Sequence, residues 1–302
     1  MAAVRRSEVS AEMVDGPDLT LLPAAVSPLV AGEVAGAPRQ CRVLAAFPTC
    51  LYLDLGAHER VLAVLASDAV VLPIGIRLAI PSTRVRWGVE PGAHLVVGEG
   101  RVRLPRAEVV AARLLRPSRV RLVQRGSSSV AVLPEPGVLG DLAHDLTAAA
   151  LAGRSADPGV RGLVGVGRGL TPSGDDALCG VLLTLAAVDS PQSRRALSAV
   201  RAAVRSVLPW TTSLSAALLV AAGAGYAVPD VARLVTLVAA AGDDVPSELV
   251  DRVLAIGHTS GRDLLSGVSG ALRAVDAPQS GHQSGHQSGR QSGRQSAPQS
   301  AP

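Results

Sequence analysis

Short apolar runs broken by turn residues dominate the chain between Arg39 and about residue 123. Polar and apolar positions alternate within several runs, as in Arg84-Val85-Arg86-Trp87 and Arg101-Val102-Arg103-Leu104. A period of two is typical of half-buried strands, and evenly spaced strands without intervening helices favour a barrel or a sandwich. The pattern therefore predicts an antiparallel β-rich domain over residues 37–125. Within it, residues 106–115 fit either a helix or edge strands.

The hydrophobic period becomes helical from Gly137 onward. One predicted helix has Ser190 as its N-cap and Pro191 at its first position, which helix starts favour. Its apolar residues recur at the spacing of helical turns and form one stripe: Leu197, Val200, Val204 and Val207. Similar patterns follow, so an all-α domain is expected over residues 126–276. The predicted fold class is α+β, with the β-rich domain preceding the helical one.

The two ends of the chain differ from both domains. Residues 1–36 contain Pro, Gly and acidic residues with little periodicity, and we expect a loose N-terminal arm there. Residues 277–302 repeat Gln-Ser-Gly-His or Gln-Ser-Gly-Arg units. Such a segment has almost nothing to bury, so it is predicted to be disordered.

Composition removes several classes of function. The chain has no lysine, which excludes Schiff-base and P-loop lysine chemistry. Aromatic residues make up only 2% and the arginines are scattered, so no nucleic-acid platform is expected. The cysteines, Cys41, Cys50 and Cys179, have no metal-type spacing, which suggests a reducing compartment. Without a signal peptide or an apolar run of membrane length, the protein is expected to be cytoplasmic, with no membrane partner.

The stretch GVGRGLTPSGDDALCG, residues 165–180, differs sharply from its surroundings. A capping box at Ser173 and Asp176 accounts for part of it. It does not account for the alternating glycines, for the glycine after the serine or for the second aspartate. Glycines before a helix allow backbone N–H groups to approach an anion, and adjacent carboxylates suit Mg²⁺ or a catalytic base. The candidate anion-binding residues are Gly165, Gly167, Gly169, Thr171, Ser173 and Gly174, and the candidate catalytic or metal-binding pair is Asp175 and Asp176.

A second stretch, GHTSGRDLLSG, repeats the pattern S-G-x-D-x-L-x-G-V of the first. The repeat predicts two related helix N-termini facing one cleft, with Gly180 and Gly267 allowing the two helices to pack closely. Its candidate anion-binding residues are Thr259, Ser260, Gly261 and Asp263. His258 directly precedes them and is a candidate proton carrier, although a lone histidine is often structural.

A third stretch, WTTSLSAALL, places several hydroxyls at a helix start. An N-cap explains them if the stretch is taken alone. Beside the other two motifs, we expect Thr211, Thr212 and Ser215 to line the same pocket.

Together these three motifs, in this order, resemble the family associated with AllH, a subunit of bacterial oxamate carbamoyltransferase, over roughly residues 40–275. The resemblance implies exchange of oxalurate and phosphate for oxamate and carbamoyl phosphate, in a complex with other subunits. One departure is Ala177, which stands where an aromatic residue is common and which predicts an enlarged pocket.

Three hypotheses remain open from the sequence. The chain is a carbamoyltransferase subunit acting on oxamate, oxalurate or a related ureido compound, with a small-anion site at the paired helix starts. Alternatively, it is a non-catalytic or regulatory subunit that binds an anion. The third hypothesis is a metal-dependent hydrolase of a ureido compound, with Mg²⁺ held by Asp175 and Asp176.

Overall fold

The computed structural model describes residues 19–126, 133–241 and 245–277. The predicted tail over residues 277–302 and the start of the predicted arm lie almost wholly outside these ranges. The described chain is α+β, with a β-barrel followed by a helical region, which confirms the predicted fold class.

Eight strands form the closed barrel: β1 (Thr20–Val26), β2 (Arg39–Phe47), β3 (Cys50–Asp54), β4 (Val61–Leu65), β5 (Gly75–Leu78), β6 (His94–Gly98), β7 (Arg101–Leu104) and β8 (Ala107–Leu114). Around the barrel they follow the order β1-β5-β4-β3-β2-β6-β7-β8. The antiparallel expectation is wrong for two pairs, because β1 with β8 and β4 with β5 run parallel. Residues 107–114 form one strand, which resolves the alternative between helix and strand.

The expectation of a loose arm is wrong for residues 20–35. Here β1 pairs with β5 on one side and β8 on the other, so the barrel closes only through this segment. It is followed by helix α1 (Pro28–Ala35), which Ser27 caps by accepting a hydrogen bond from the amide of Leu29 at 3.3 Å. Little in the sequence indicates β1, because the strand contains Pro23, which cannot donate a hydrogen bond to a ladder.

The helical region contains α2 (Gly137–Leu151), α3 (Asp157–Leu163), α4 (Ser173–Ala187), α5 (Pro191–Val207), α6 (Ser213–Gly223), α7 (Pro229–Ala239), α8 (Ser247–Leu254) and α9 (Ser260–Asp276). Almost every residue of α4 is buried, so this helix forms the centre of the region. Helix α6 joins the two halves of the molecule. Its Leu214, Ala217 and Ala221 belong to the same hydrophobic cluster as the barrel interior.

Glycines set how closely the central helices approach. A side-chain carbon at Gly267 of α9 would lie 2.7 Å from the carbonyl carbon of Ala177 in α4 and would overlap its oxygen. One at Gly180 of α4 would lie 2.7 Å from the backbone nitrogen of Val268 in α9. The two helices therefore meet backbone to backbone, as their small residues predicted.

Gly267→Ala is expected to lower the free energy of unfolding by about 3 kcal/mol, because the added carbon forces α4 and α9 apart. The matched control is Gly32→Ala in α1, where an added carbon would meet nothing within 4 Å. That change should be neutral or stabilising by up to about 1 kcal/mol, since alanine favours helix. Urea unfolding of both variants measures the contrast. Equal effects of the two substitutions would show that the α4–α9 contact is looser than described.

Candidate functional site

The loop before α4 follows a path that two of its glycines make possible. Gly165, Gly167 and Gly169 have φ values of +69°, +118° and +98°, which L side chains rarely adopt. A side-chain carbon at Gly165 would lie 2.7 Å from the carbonyl oxygen of Trp210, and one at Gly167 would lie 2.6 Å from the backbone nitrogen of Ser173. Gly169 has open space around it. The first two glycines thus serve close packing, while the third lies where a ligand could approach.

The predicted capping box at Ser173 and Asp176 is wrong. Helix α4 begins at Ser173 itself, Pro172 occupies the cap position, and no side chain in the described part of the chain caps the helix. The loop backbone satisfies the first amides instead. Gly174 donates to the carbonyl oxygen of Val166 at 2.8 Å, and Asp175 and Asp176 both donate to that of Pro172. The Gly174 amide is therefore already bonded within the protein.

The start of α9 repeats this construction. The amide of Gly261 donates to the carbonyl oxygen of Ile256 at 3.0 Å, as that of Gly174 does to Val166. A side-chain carbon at Gly261 would overlap the carbonyl oxygen of Val253 in α8, and one at Gly174 would overlap that of Leu163 in α3. The repeated Ser-Gly pair thus marks two places where a helix begins against the end of the helix before it.

The two helix starts meet side by side. The hydroxyls of Thr171 and Ser260 lie 3.0 Å apart and share a hydrogen bond. This contact joins the loop before α4 to the first residue of α9 across 89 positions of sequence.

Asp175 holds the local structure together. Its side chain is only 1% exposed and accepts hydrogen bonds from the amide of Gly165, at 2.9 Å, and from the hydroxyl of Thr211. The carboxylate therefore ties the glycine loop to the segment before α6. Both of its oxygens are engaged within the protein, and the side chain does not line the cavity described below.

The hydroxyls before α6 also bond to the protein. Thr212 caps α6 by accepting from the amide of Ser215 at 3.1 Å, and its hydroxyl donates to the carbonyl oxygen of Leu170. Ser215 is 2% exposed, and its hydroxyl has no hydrogen-bond partner among the described residues.

A cavity of about 780 Å³, here called the central cavity, lies between the barrel and the helices. Its polar end is formed by the two helix starts and includes these predicted residues: Gly169, Thr171, Asp176, His258, Thr259, Ser260 and Gly261. The other predicted residues do not line it: Gly165, Gly167, Ser173, Gly174, Asp175, Thr211, Thr212, Ser215 and Asp263.

The sequence did not predict some of the residues that lie in or beside the site. Arg168 lies inside the first motif, is exposed and lines the central cavity. The barrel supplies one wall, including Phe47, Tyr52 and Leu72. His58 also comes from the barrel, and its Nε2 lies 3.0 Å from the carbonyl oxygen of Thr211. Only Arg168 carried a local signal, because the other residues are distant from the motifs in sequence.

Ala177 does not enlarge the pocket as expected. It is fully buried and its backbone packs against Gly267 of α9. The size of the central cavity therefore has another origin.

Asp176 is the buried acid of the central cavity. The residue is 8% exposed, and its Oδ2 has no hydrogen-bond partner among the described residues. Burial, with smaller contributions from the carboxylates of Asp263 and Asp175, raises the pKa of Asp176 to about 8, although the hydroxyls of Ser260 and Thr171 lower it in part. At neutral pH this carboxyl is therefore mostly protonated and offers one O–H donor and one carbonyl acceptor.

The loop around Arg168 offers further donors. Within the described chain, the backbone amides of residues 168–171 make no hydrogen bond to another protein group. These N–H groups and the Arg168 guanidinium are hydrogen-bond donors on residues that line the central cavity.

Two features are absent from the described ranges. No group of at least three His, Cys, Asp or Glu side chains in them is arranged to hold a metal ion. None of the helices in those ranges combines the length and the apolar character that crossing a membrane requires.

Comparison with known proteins gives one match. Residues 163–272 match the model of the family described as oxamate carbamoyltransferase subunit AllH. A search of curated proteins and a search of solved structures found no match. The matched segment runs from the end of α3 through most of α9 and contains all three motifs. Over residues 163–272, this chain is therefore similar to the AllH family of oxamate carbamoyltransferase subunits.

Proposed function

We propose that this chain is a carbamoyltransferase subunit that binds a small amide or ureido carboxylate, such as oxamate or oxalurate, at the polar end of the central cavity. The observation that carries the proposal is Asp176, a carboxyl that faces the cavity and is mostly protonated at neutral pH. A protonated carboxyl pairs a donor with an acceptor. An amide or ureido group presents the complementary acceptor and donor.

The rest of the polar end suits the acidic part of such a ligand. Arg168 and the backbone amides of residues 168–171, which have no partner among the described residues, can donate hydrogen bonds to a carboxylate or a phosphate. Oxamate and carbamoyl phosphate each combine an amide-type group with an anion. A site with a neutral carboxyl beside cationic and N–H donors fits both kinds of group.

The transfer itself needs a proton acceptor. When the amide nitrogen of oxamate attacks the carbonyl carbon of carbamoyl phosphate, a C–N bond forms and the C–O bond to phosphate breaks. The nitrogen loses a proton, and the leaving phosphate gains one. We assign the relay of that proton to His258, which lines the central cavity.

Partner subunits belong to this proposal because the family is described as a subunit. The non-catalytic alternative uses the same cavity to bind an anion that regulates assembly. Asp175→Asn cannot separate these hypotheses, because Asp175 holds the loop and the segment before α6 in place. Variants must instead change side chains that line the cavity.

The stability of the protein is expected to fall as the pH rises from about 4 to about 8. The folded pKa of Asp176, about 8, lies above its ordinary value of 3.8, so the folded state holds the proton more tightly. The stability that this proton contributes is complete below pH 4 and is lost at up to about 1.4 kcal/mol per pH unit. Asp176→Asn removes the dependence and should be at least as stable as the wild type at pH 8, as measured by urea unfolding.

The control for this experiment is Asp141→Asn, whose side chain is 69% exposed and pairs with Arg273 at 2.9 Å. It should change the unfolding free energy by a similar, small amount at every pH from 5 to 8. If Asp176→Asn keeps the wild-type pH dependence, Asp176 is ionised in the folded protein and the proposed pairing is wrong.

Ligand binding tests the function directly. Calorimetric titration of the full chain with oxalurate, oxamate and carbamoyl phosphate should show binding of at least one of them. Asp176→Ala is expected to weaken that binding roughly 10- to 100-fold, because it leaves the amide group of the ligand unpaired. Asp176→Asn restores a donor and an acceptor and should lose less than about tenfold.

Asp141→Ala is the control, since Asp141 is exposed, pairs with Arg273 and does not line the cavity. It should leave affinity nearly unchanged. With the partner subunits present, His258→Ala should lower carbamoyl transfer while assembly persists. Loss of assembly alone would favour the regulatory alternative, and no binding of any of the three compounds would overturn the proposal.

A further inference from the structure

We infer that the ligand of the central cavity carries an apolar substituent several carbons long, attached to the amide or ureido carboxylate head. This inference rests on the proposed function for the head and adds the substrate class. It comes from the apolar part of the cavity, which the polar residues at the helix starts leave unexplained.

Helix α4 connects the two parts of the cavity. Asp176, Cys179 and Leu183 all line it and are spaced three and four residues apart, so they lie along one face of the helix. At 1.5 Å per residue, Leu183 lies about 10 Å along the axis from Asp176. A ligand whose head meets Asp176 therefore has an apolar surface extending away from that head.

Helix α6 also lines the central cavity. Its lining residues Leu214, Leu218 and Ala222 are spaced four residues apart, so they too share one face. The barrel covers the opposite side with Phe47, Pro48, Leu65, Ala69, Val70, Leu72 and Pro73. Among the described residues of the lining, the arginine, histidine and acidic side chains are those of Arg168, Asp176 and His258, which all belong to the helix-start end. The barrel side adds the polar groups of Thr49, Cys50 and Tyr52.

The size of the cavity agrees with this division. At about 780 Å³ it falls within the roughly 300–1,000 Å³ of pockets that enclose drug-sized molecules. Oxamate and carbamoyl phosphate are far smaller. An aliphatic or aromatic substituent on the ligand would occupy the remaining volume and gain affinity from the burial of apolar surface.

The rim shows where such a substituent would reach solvent. Phe47 and Val70 line the cavity, yet each is 45% exposed. Because Val70 is exposed, its replacement tests binding with little effect on folding. Val138 in the first turn of α2 is 75% exposed and lies outside the cavity lining, so it serves as the matched control.

The test is calorimetric titration of the full chain with oxamate and with N-butyl-, N-hexyl- and N-octyloxamate. Affinity should rise roughly three- to fourfold for each added methylene that the apolar wall buries. Val70→Glu should reduce the gain for the octyl compound at least tenfold and leave oxamate binding unchanged. Val138→Glu should change neither the affinity gain of the octyl compound nor the affinity for oxamate.

The possible failures are distinguishable. Oxamate binding without any gain from chain length would overturn this inference and leave the proposed function intact. Equal binding of octanol and N-octyloxamate would show that the head is not recognised, which also overturns it. If assembly with the partner subunits abolishes the gain but keeps oxamate binding, a partner covers the apolar wall and the inference is wrong.

Discussion

The close approach of α4 and α9 is the constraint on which the candidate site depends. Gly180 and Gly267 let the two backbones touch, and no larger residue fits at either position. This contact brings the starts of both helices to one place, where the hydroxyls of Thr171 and Ser260 bond to each other. Asp176, one turn into α4, then faces a cavity that neither helix could form alone.

Two adjacent carboxylates acquire different roles from their surroundings. Asp175 receives an N–H and an O–H donor from the protein, so its hydrogen-bonding capacity is used to hold the loop and the segment before α6. Asp176 is buried, one of its oxygens has no partner among the described residues, and burial raises its pKa to about 8. Divergence of neighbouring acids through environment is a general way to obtain one structural and one chemically active group.

The sequence predicted the features that depend on local pattern. The alternating strands, the helical period and the repeated Ser-Gly-x-Asp motif led to the α+β class and to the pairing of α4 with α9. Prediction from the sequence failed for features that depend on contacts between residues far apart in the chain. Strand β1 forms through its pairing with β5 and β8. At the start of α4, the carbonyl oxygens of Val166 and Pro172 take the place of the predicted capping box. For the same reason the apolar wall from Phe47 to Pro73 had no signal near the motifs.

The polar end and the barrel wall of the central cavity come from different parts of the chain. Residues 163–272, which match the AllH family, contain Arg168, Asp176 and His258. The barrel wall lies outside that match and offers mainly apolar side chains. Under the proposed function, the groups that meet the reacting head come from the matched segment, whereas the apolar surface around a substituent comes from both that segment and the barrel. Since the two surfaces meet only through folding, the barrel can change what is admitted without altering the groups that meet the head.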